Sequence, residues 1–380
     1  MIASLFQFSS NQWINHPSNK SVTHDQVKMV LCFAAKEILQ GEKTYELLNE
    51  KFPNSDIVIC STAGEIYQNT VHDNSLTVVG LEFDKTKLMS ASINIRDFDD
   101  SYAAANGLIS KLPKDELKYI MIFSDGSLVN GSELVKGLND AVRKDVLITG
   151  GLAGDAANFQ STLIGLNGNA SEGNIVAIGF YGDQIMVTHG SKGGWDMFGL
   201  EKEITKSETN ILYEIDGNNA LDFYKKYLGP DIENLPASAL LFPLAVTEPG
   251  ADRHVVRTIL SINEEEKSMT FAGDVPLGSK VRLMKGNIDK ITDAASNAAY
   301  NSIKDANIKP DFSLLISCVG RKLILGNRIE EEVEIVGETF NNETVMAGFY
   351  SYGEISPFNE GGNCQLHNQT MTITSFYELP

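Results

Sequence analysis

The sequence predicts an α/β protein of two related halves, in which repeated β-α-β-β units form mixed sheets covered by helices. Three observations lead to this fold class. Three stretches, residues 56–66, 145–155 and 343–355, each pass from apolar residues into a turn of small residues that ends in glycine and an acid. Short apolar runs flank each stretch on both sides, and apolar residues at helical spacing precede each one. A unit that recurs in this way indicates a fold built by duplication.

The flanking apolar runs predict strands, because they are rich in β-branched and aromatic residues, as strands of a covered sheet are. The upstream runs begin at Met29, Ile120 and Ser313, and the downstream runs begin at Leu76, Asn174 and Thr370. Helices are predicted between the upstream run and the turn by stripes of apolar residues at helical spacing. These stripes are Tyr45, Leu48 and Phe52, then Leu134, Leu138 and Val142, then Ile329, Val333 and Val336.

A longer duplication defines the two halves. Residues 93–126 resemble residues 281–320: both have a basic strand end, an Ala-rich helix, a polar turn with proline and a strand that ends in glycine. We therefore expect domains at residues 1–200 and 201–380, with the boundary in the segment 183–206. Residues 237–284 lack helical periodicity and predict a set of antiparallel strands.

Composition limits the possible functions. The chain has 380 residues, 42% of them hydrophobic, and a formal net charge of −19. This charge argues against nucleic acid and against an anionic membrane surface, since both are bound through clustered Lys and Arg. No apolar run reaches the roughly 20 residues that span a bilayer, and the N-terminus lacks the pattern of a signal peptide. With four scattered cysteines, expected to be reduced, we expect a cytoplasmic protein.

The turn motifs resemble those of the FIST domain, a bacterial sensory domain with N-terminal and C-terminal parts. The motifs are STAGEI from Ser61, GGLAGD from Gly150, and GFYSYGEI with LHNQTMTIT within residues 348–374. The resemblance covers nearly the whole chain, with the N part near residues 30–220 and the C part near 221–365. It implies a cytoplasmic module that senses a small ligand such as an amino acid and regulates a signalling enzyme, either a histidine kinase or a diguanylate cyclase. Some stand-alone relatives are haem proteins that sense nitric oxide.

The acids of the three turns are candidate ligand-binding residues. Glu65, Asp155 and Glu354 each follow a glycine, which allows a tight turn at the end of a strand, where open sheets bind ligands. Their carboxylates could bind an ammonium or guanidinium group. The alternative is that they cap turns or helix N-termini. Tyr352, in the third turn, belongs to the same candidate set.

Basic and polar residues of the second half could complete a site for a zwitterion. Arg253 and Arg257 are predicted on one face of a strand, where they could bind a carboxylate, and Arg321 follows a strand end. His367 and Asn368 precede the last strand and offer donors and acceptors. Solvated arginines and internally bonded loop residues are the alternative. Cys364 and His367 have ligand spacing, but a structural zinc site needs four protein ligands.

Three functions remain open from the sequence. The first is a sensor that binds an amino-acid-like ligand in a cleft between the halves. The second is a haem sensor for nitric oxide, with His189, His254 or His367 as the axial ligand. The third is a hydrolase-like enzyme that pairs Glu65 or Glu354 with His367 as acid and base. No dinucleotide, phosphate-loop, GxSxG or HExxH motif is found.

Overall fold

A computed structural model of the protein describes residues 1–19, 24–41, 43–235, 237–359 and 361–380. These residues form the following strands: β1 (Ile2–Ser9), β2 (Gln12–Asn15), β3 (Met29–Ala35), β4 (Asp56–Thr62), β5 (Glu65–Tyr67), β6 (Thr70–His72), β7 (Leu76–Glu82), β8 (Lys87–Asn94), β9 (Leu117–Ser124), β10 (Leu147–Leu152), β11 (Ile164–Leu166), β12 (Asn174–Tyr181), β13 (Ile185–Lys192), β14 (Trp195–Glu208), β15 (Ile211–Ile215), β16 (Asn218–Asn219), β17 (Leu244–Thr247), β18 (Val255–Arg257), β19 (Ile259–Asn263), β20 (Ser268–Phe271), β21 (Lys280–Gly286), β22 (Phe312–Cys318), β23 (Val345–Ser351), β24 (Gly353–Pro357), β25 (Cys364–His367) and β26 (Met371–Glu378).

The helices of the same residues include those predicted from the three apolar stripes. They are α1 (Lys36–Gly41), α2 (Thr44–Lys51), α3 (Ser101–Ile109), α4 (Gly131–Ala141), α5 (Ala220–Leu228), α6 (Ile288–Ile303), α7 (Val319–Leu325) and α8 (Glu330–Thr339). Short 3-10 segments lie at His24–Gln26, Ile95–Asp97, Gly229–Asn234, Ala237–Leu241 and Gly326–Arg328. None of the helices in the described ranges has both the length and the hydropathy needed to cross a bilayer.

The repeated unit occurs three times, and each copy forms the centre of a six-stranded mixed sheet. In each copy two strands run parallel, and a later strand pairs antiparallel with the first of them. The resulting orders are β4-β3-β7, β10-β9-β12 and β23-β22-β26. The first strand of each copy is buried almost along its whole length, because helices or other sheets cover both of its faces. The predicted α/β class with mixed sheets is therefore confirmed.

The three units exchange strands in a cycle. Strand β5 follows the first turn but pairs with β23 of the third unit. Strand β11 follows the second turn and pairs with β4 of the first unit, and β24 follows the third turn and pairs with β10 of the second. Each of the three sheets therefore contains a strand that comes from another unit.

This topology corrects the prediction of two related halves. The long duplication in the sequence joins only the second and third units, because these two units have a helix before their central strand, α3 and α6 respectively. The first unit has a short 3-10 segment, His24–Gln26, in the corresponding part of the chain. The division at residue 200 stays a prediction, and that residue lies inside β14.

The fourth sheet is inserted into the third unit, between β13 and α6. Its strand order is β18-β17-β21-β14-β15-β20-β19, with β16 paired to β15. All pairings in it are antiparallel, as predicted for residues 237–284. The sheet and α5 enclose a core of their own, which includes Leu212, Tyr224 and Phe271.

The three repeat sheets share one core beneath the acidic turns. Phe33, Phe123 and Phe349, one from each sheet, meet with ring centroids 5.1 to 6.2 Å apart. All three rings are buried, and they belong to a single apolar cluster that draws on all three sheets. Burial on this scale is the main force that holds such sheets together. The turns that follow the strands are therefore held at one end of the molecule.

Candidate functional site

Backbone hydrogen bonds bring the three acidic turns together. The amide of Ala63 in the first turn donates to the carbonyl of Tyr350 in the third (2.8 Å), and Gly154 in the second donates to Ser61 in the first (3.0 Å). Tyr352 donates in turn to Leu152 (3.2 Å). The expected convergence of the turns is present in the structure, because the strand exchange carries each turn into its neighbour.

The carboxylates of Glu65 and Glu354 occupy equivalent, internally bonded positions. Thr62 Oγ1 donates to Glu65 Oε1 (2.5 Å), and the amide and hydroxyl of Ser75 donate to Oε2 (3.0 and 2.8 Å). Ser351 Oγ donates to Glu354 Oε1 (2.7 Å) in the same way, and the amide and hydroxyl of Thr370 donate to Oε2 (3.1 and 2.9 Å). Both side chains are buried. Their oxygens bind the protein itself, which agrees with the turn-capping alternative.

Burial raises the pKa of Glu65 and of Glu354 to about 7 in each case, since it penalises the charged form more than the hydroxyl donors favour it. These two groups therefore change charge near neutral pH. They do so inside the turns on which the three units meet.

Asp155 is also bonded within the protein. Its carboxylate accepts from the amides of Phe159 (2.8 Å), Gln160 (3.1 Å) and Ser161 (3.1 Å), and from the hydroxyl of Tyr352. The Tyr352 ring stacks on Phe159 with centroids 4.5 Å apart. Asp155 and Tyr352 therefore fix the loop that follows the second turn.

Lys36 supplies the cationic partner of Asp155. Its ammonium lies 3.6 Å from the Asp155 carboxylate and donates to Ser161 Oγ (2.6 Å). Because Lys36 begins α1, this pair joins the first unit to the loop of the second.

The predicted arginine pair is not formed. Arg257 is buried and donates to the carbonyls of Asp274 (2.9 Å) and Leu366 (3.0 Å), whereas Arg253 lies outside β18, is exposed, and donates to Asn359 Oδ1 (3.0 Å). The prediction that both face one side of a strand is wrong, since the strand begins only at Val255. Burial lowers the pKa of Arg257 to about 10.

Arg321 forms a buried ion pair. Its Nε and Nη2 lie 2.7 and 2.5 Å from Glu332 Oε1, and both side chains are fully buried. It also donates to the carbonyls of Gly193 and Ile291. All of these partners belong to the protein, so the guanidinium group serves the fold in this structure.

His367 and Asn368 lie in the same buried region. The Nε2 atom of His367 lies 2.9 Å from the carbonyl of Ser356, and burial lowers the pKa of His367 to about 4. Asn368 Nδ2 donates to the His367 carbonyl (3.1 Å). In the described ranges no side-chain hydrogen bond joins His367 to Glu65 or to Glu354, its cross-strand neighbour, so the acid–base pair of the enzyme hypothesis is not assembled. No group of three or more metal-ligating side chains occurs in those ranges either.

A cavity of about 390 Å³ opens beside the first turn. It is lined by residues of both predicted halves, namely Ala35, Glu37, Thr62, Ala63, Gly64, Glu65, Asp73, Asn74, Ala156, Ala157, Val319, Lys322 and Leu323. Lys322 Nζ donates to the carbonyl of Ala63 (2.7 Å) and forms an ion pair with Asp73. The cavity therefore has charged groups of both signs at its wall.

Lys322 and Asp73 are not among the site residues predicted from the sequence. Lys322 follows Arg321 directly in the same short helix, α7, but the two side chains differ in their surroundings. Arg321 is buried, while Lys322 lines the cavity. Successive residues of a helix point about 100° apart, so two neighbouring cations face different surroundings, but the sequence alone does not say which of them is buried.

The three converging turns and most strands of the mixed sheets lie within the part of the chain that two family models match. The FIST N domain model matches residues 28–218 and the FIST C domain model matches residues 220–357, so the chain belongs to the FIST family, whose domains are sensory modules of signalling proteins and are generally not catalytic. The resemblance in the turn motifs is thereby confirmed.

Two solved structures of cyanuric acid hydrolase overlap the whole chain weakly. One covers 99% of this chain and 99% of its own, with a TM-score of 0.33 and 7% identity. The other, from A. caulinodans, covers 100% of this chain and 99% of its own, with a TM-score of 0.35 and 7% identity. Structural similarity this weak supports no conclusion about the function of the chain. No curated protein matches it.

Proposed function

We propose that this FIST protein senses an amino-acid-like zwitterion, which binds in the cavity beside the first turn and regulates a partner signalling enzyme. The observation that carries this proposal is the ammonium group of Lys322, which lies among acidic side chains where the three units meet. The partner that we propose is a histidine kinase or a diguanylate cyclase.

The contacts of Lys322 suit exchange with a ligand. Its side chain is 18% exposed, while that of Asp73 is 65% exposed. An ion pair with one partner largely in water contributes little to stability. A ligand carboxylate can therefore replace Asp73 on Lys322 at small cost, and the freed Asp73, together with Glu37, provides carboxylates for the ammonium group of the ligand.

Exchange at Asp73 provides a route for the signal. Asp73 lies two residues before Ser75, whose amide and hydroxyl bind the carboxylate of Glu65. Lys322 belongs to the third unit, and it also binds the carbonyl of Ala63 in the first. A ligand that moves Asp73 would bias the contact between two units, which is how a small ligand shifts a conformational equilibrium.

A thermal-shift screen of amino acids and related metabolites tests the site. We expect at least one zwitterion to raise the melting temperature of the wild-type protein, because a ligand that binds only the folded state stabilises it. The variant Lys322→Gln should lose that shift, since it removes the cation that binds the carboxylate.

The control is Lys118→Gln, which removes the same charge from a surface ion pair with Asp183 (2.7 Å). It should keep the full ligand response. A screen without any stabilising zwitterion, or a response unchanged by Lys322→Gln, would count against the proposed site.

The haem alternative finds less support in the geometry. His367 Nε2 is already bonded to a carbonyl, and His254 is half-buried in the strand region of the insertion. His189 lines a cavity of about 650 Å³, but its wall includes Lys144, Asp145, Lys192, Lys304 and Asp305. Cofactor pockets are mostly apolar, so this lining does not fit haem. An absorption spectrum recorded after addition of haem tests the alternative: we expect no Soret band that shifts with nitric oxide.

A further inference from the structure

We propose that the cavity beside His189 is a second ligand site, which binds a small organic anion with an apolar body, such as an aromatic carboxylate. The cavity of about 650 Å³ lies between edge strand β13, the C-terminal end of α6, the beginning of β10 and the segment that joins β24 to β25. It is separate from the cavity beside the first turn, and the two share no lining residue. The inference does not depend on the proposed zwitterion site.

The wall of this cavity is built by close packing of α6 against β13. A Cβ atom at Gly190 would lie 2.1 Å from the carbonyl oxygen of Ala298, so only glycine permits this approach. The Thr188 hydroxyl donates to the carbonyl of Ser302 and fixes the end of the helix on the strand. His189 lies between these two contacts, which means that its position is set by the packing on either side.

One polar atom of His189, a residue of the cavity wall, has no partner in the part of the chain that the structure describes. Its Nδ1 is buried and has no hydrogen-bond partner among the described residues. Burial lowers the pKa of His189 to about 4, so that the ring is neutral at physiological pH. A buried polar atom without a partner is unfavourable, and a ligand that supplies the missing hydrogen bond removes that cost.

Two lysines at the cavity have free ammonium groups. In the described ranges the side chain of Lys144 and that of Lys192 have no ion-pair or hydrogen-bond partner, although both residues line the cavity. Of the two acids at the wall, Asp145 is bound by Arg143 Nε (3.1 Å) and Asp305 lies 4.0 Å from Lys304. In a chain with a net charge of −19, unpaired cations around one cavity favour an anion.

The remaining wall can receive an apolar body. Leu147 and Val187 line the cavity, as does Phe358, which is 36% exposed. The Phe358 ring packs edge-on against His367 with centroids 4.6 Å apart, and it is therefore held in place on one face. An aromatic carboxylate could place its ring against these side chains and its anionic end near the lysines.

Binding of benzoate to the full chain tests the inference, with benzamide as its uncharged counterpart of nearly the same shape. The readout is the NMR signal of the His189 ring in histidine-labelled protein, assigned with His189→Gln. We expect benzoate to shift this signal and benzamide to bind several-fold more weakly, with an affinity for benzoate that falls as salt is added.

Three variants make the result specific. Lys192→Gln should weaken benzoate binding by about threefold, as loss of one exposed charge pair does, and it sits on the surface, where it leaves folding intact. Lys118→Gln and Lys322→Gln should leave benzoate binding unchanged. A His189 signal that does not move with benzoate up to millimolar concentration, or equal affinities for benzoate and benzamide, would overturn the inference.

Discussion

Replacement of Arg321 by methionine is expected to lower the free energy of unfolding by about 3–5 kcal/mol, because it leaves the carboxylate of Glu332 buried without its cation. Tyr350 and Ser317 also donate to this carboxylate (2.8 and 3.0 Å), but hydroxyl donors do not neutralise it. Arg321 further holds the carbonyl of Gly193, at the entry to the inserted sheet. Its loss should therefore loosen the joint between that sheet and the third unit.

Urea denaturation of the wild type and the variant gives the difference in stability. Arg328→Met is the matched control, since Arg328 pairs with Glu331 (2.7 Å) on the surface, where such a pair contributes at most about 1 kcal/mol. The double variant Arg321→Met, Glu332→Met should recover part of the loss, because no buried charge remains. An equal loss of unfolding free energy in Arg321→Met and Arg328→Met would contradict the prediction that Arg321 and Glu332 form a buried ion pair.

The variant Glu354→Gln is expected to gain stability over the wild type as the pH rises from 5 to 8. In the folded protein the pKa of Glu354 is about 7, above its ordinary value of 4.5. Its favourable contribution is therefore complete below 4.5 and is lost as the pH rises through 7. Glutamine resembles the protonated acid at every pH, so the difference between the two proteins should change by about 2.5 kcal/mol across this range.

The comparison of variant with wild type is needed because other buried groups act in the opposite direction. Burial lowers the pKa of His189 and of His367 to about 4, so their contribution is present above 6.5 and is lost as the pH falls toward 4. These effects offset each other in the wild type between 4.5 and 6.5. Glu334→Gln, at an exposed position, serves as the control. Stability curves for wild type and Glu354→Gln that run parallel from pH 5 to 8 would refute the prediction.

Local sequence signals predicted the elements well. The apolar runs at Met29 and Ser313 are strands buried on every residue, and the helical stripes mark α2, α4 and α8. Local signals could not predict the exchange of β5, β11 and β24 between units, because the sequence of a strand does not show which distant strand it pairs with. For the same reason the long duplication suggested two halves where the topology has three units.

The candidate site was predicted in its location but not in its chemistry. The sequence places the three acids at turns, and the structure brings those turns together. Two hydrogen-bond donors to the glutamates could have been predicted from the sequence. Thr62 and Ser351 each precede their glutamate by three residues, a spacing at which a hydroxyl can reach the carboxylate. The charged wall of the neighbouring cavity depends on how α7 is rotated, which a single sequence does not specify.

The cyclic exchange of strands has a consequence for any attempt to divide the protein. A fragment that ends at the junction of the two FIST domains, near residue 219, would keep β5 but lose the β23 on which it pairs, and β10 would lose β24. Each lost pairing exposes the backbone of a sheet edge, and uncovered edges promote association between copies. The two named domains therefore complete each other's sheets, and neither is expected to fold on its own.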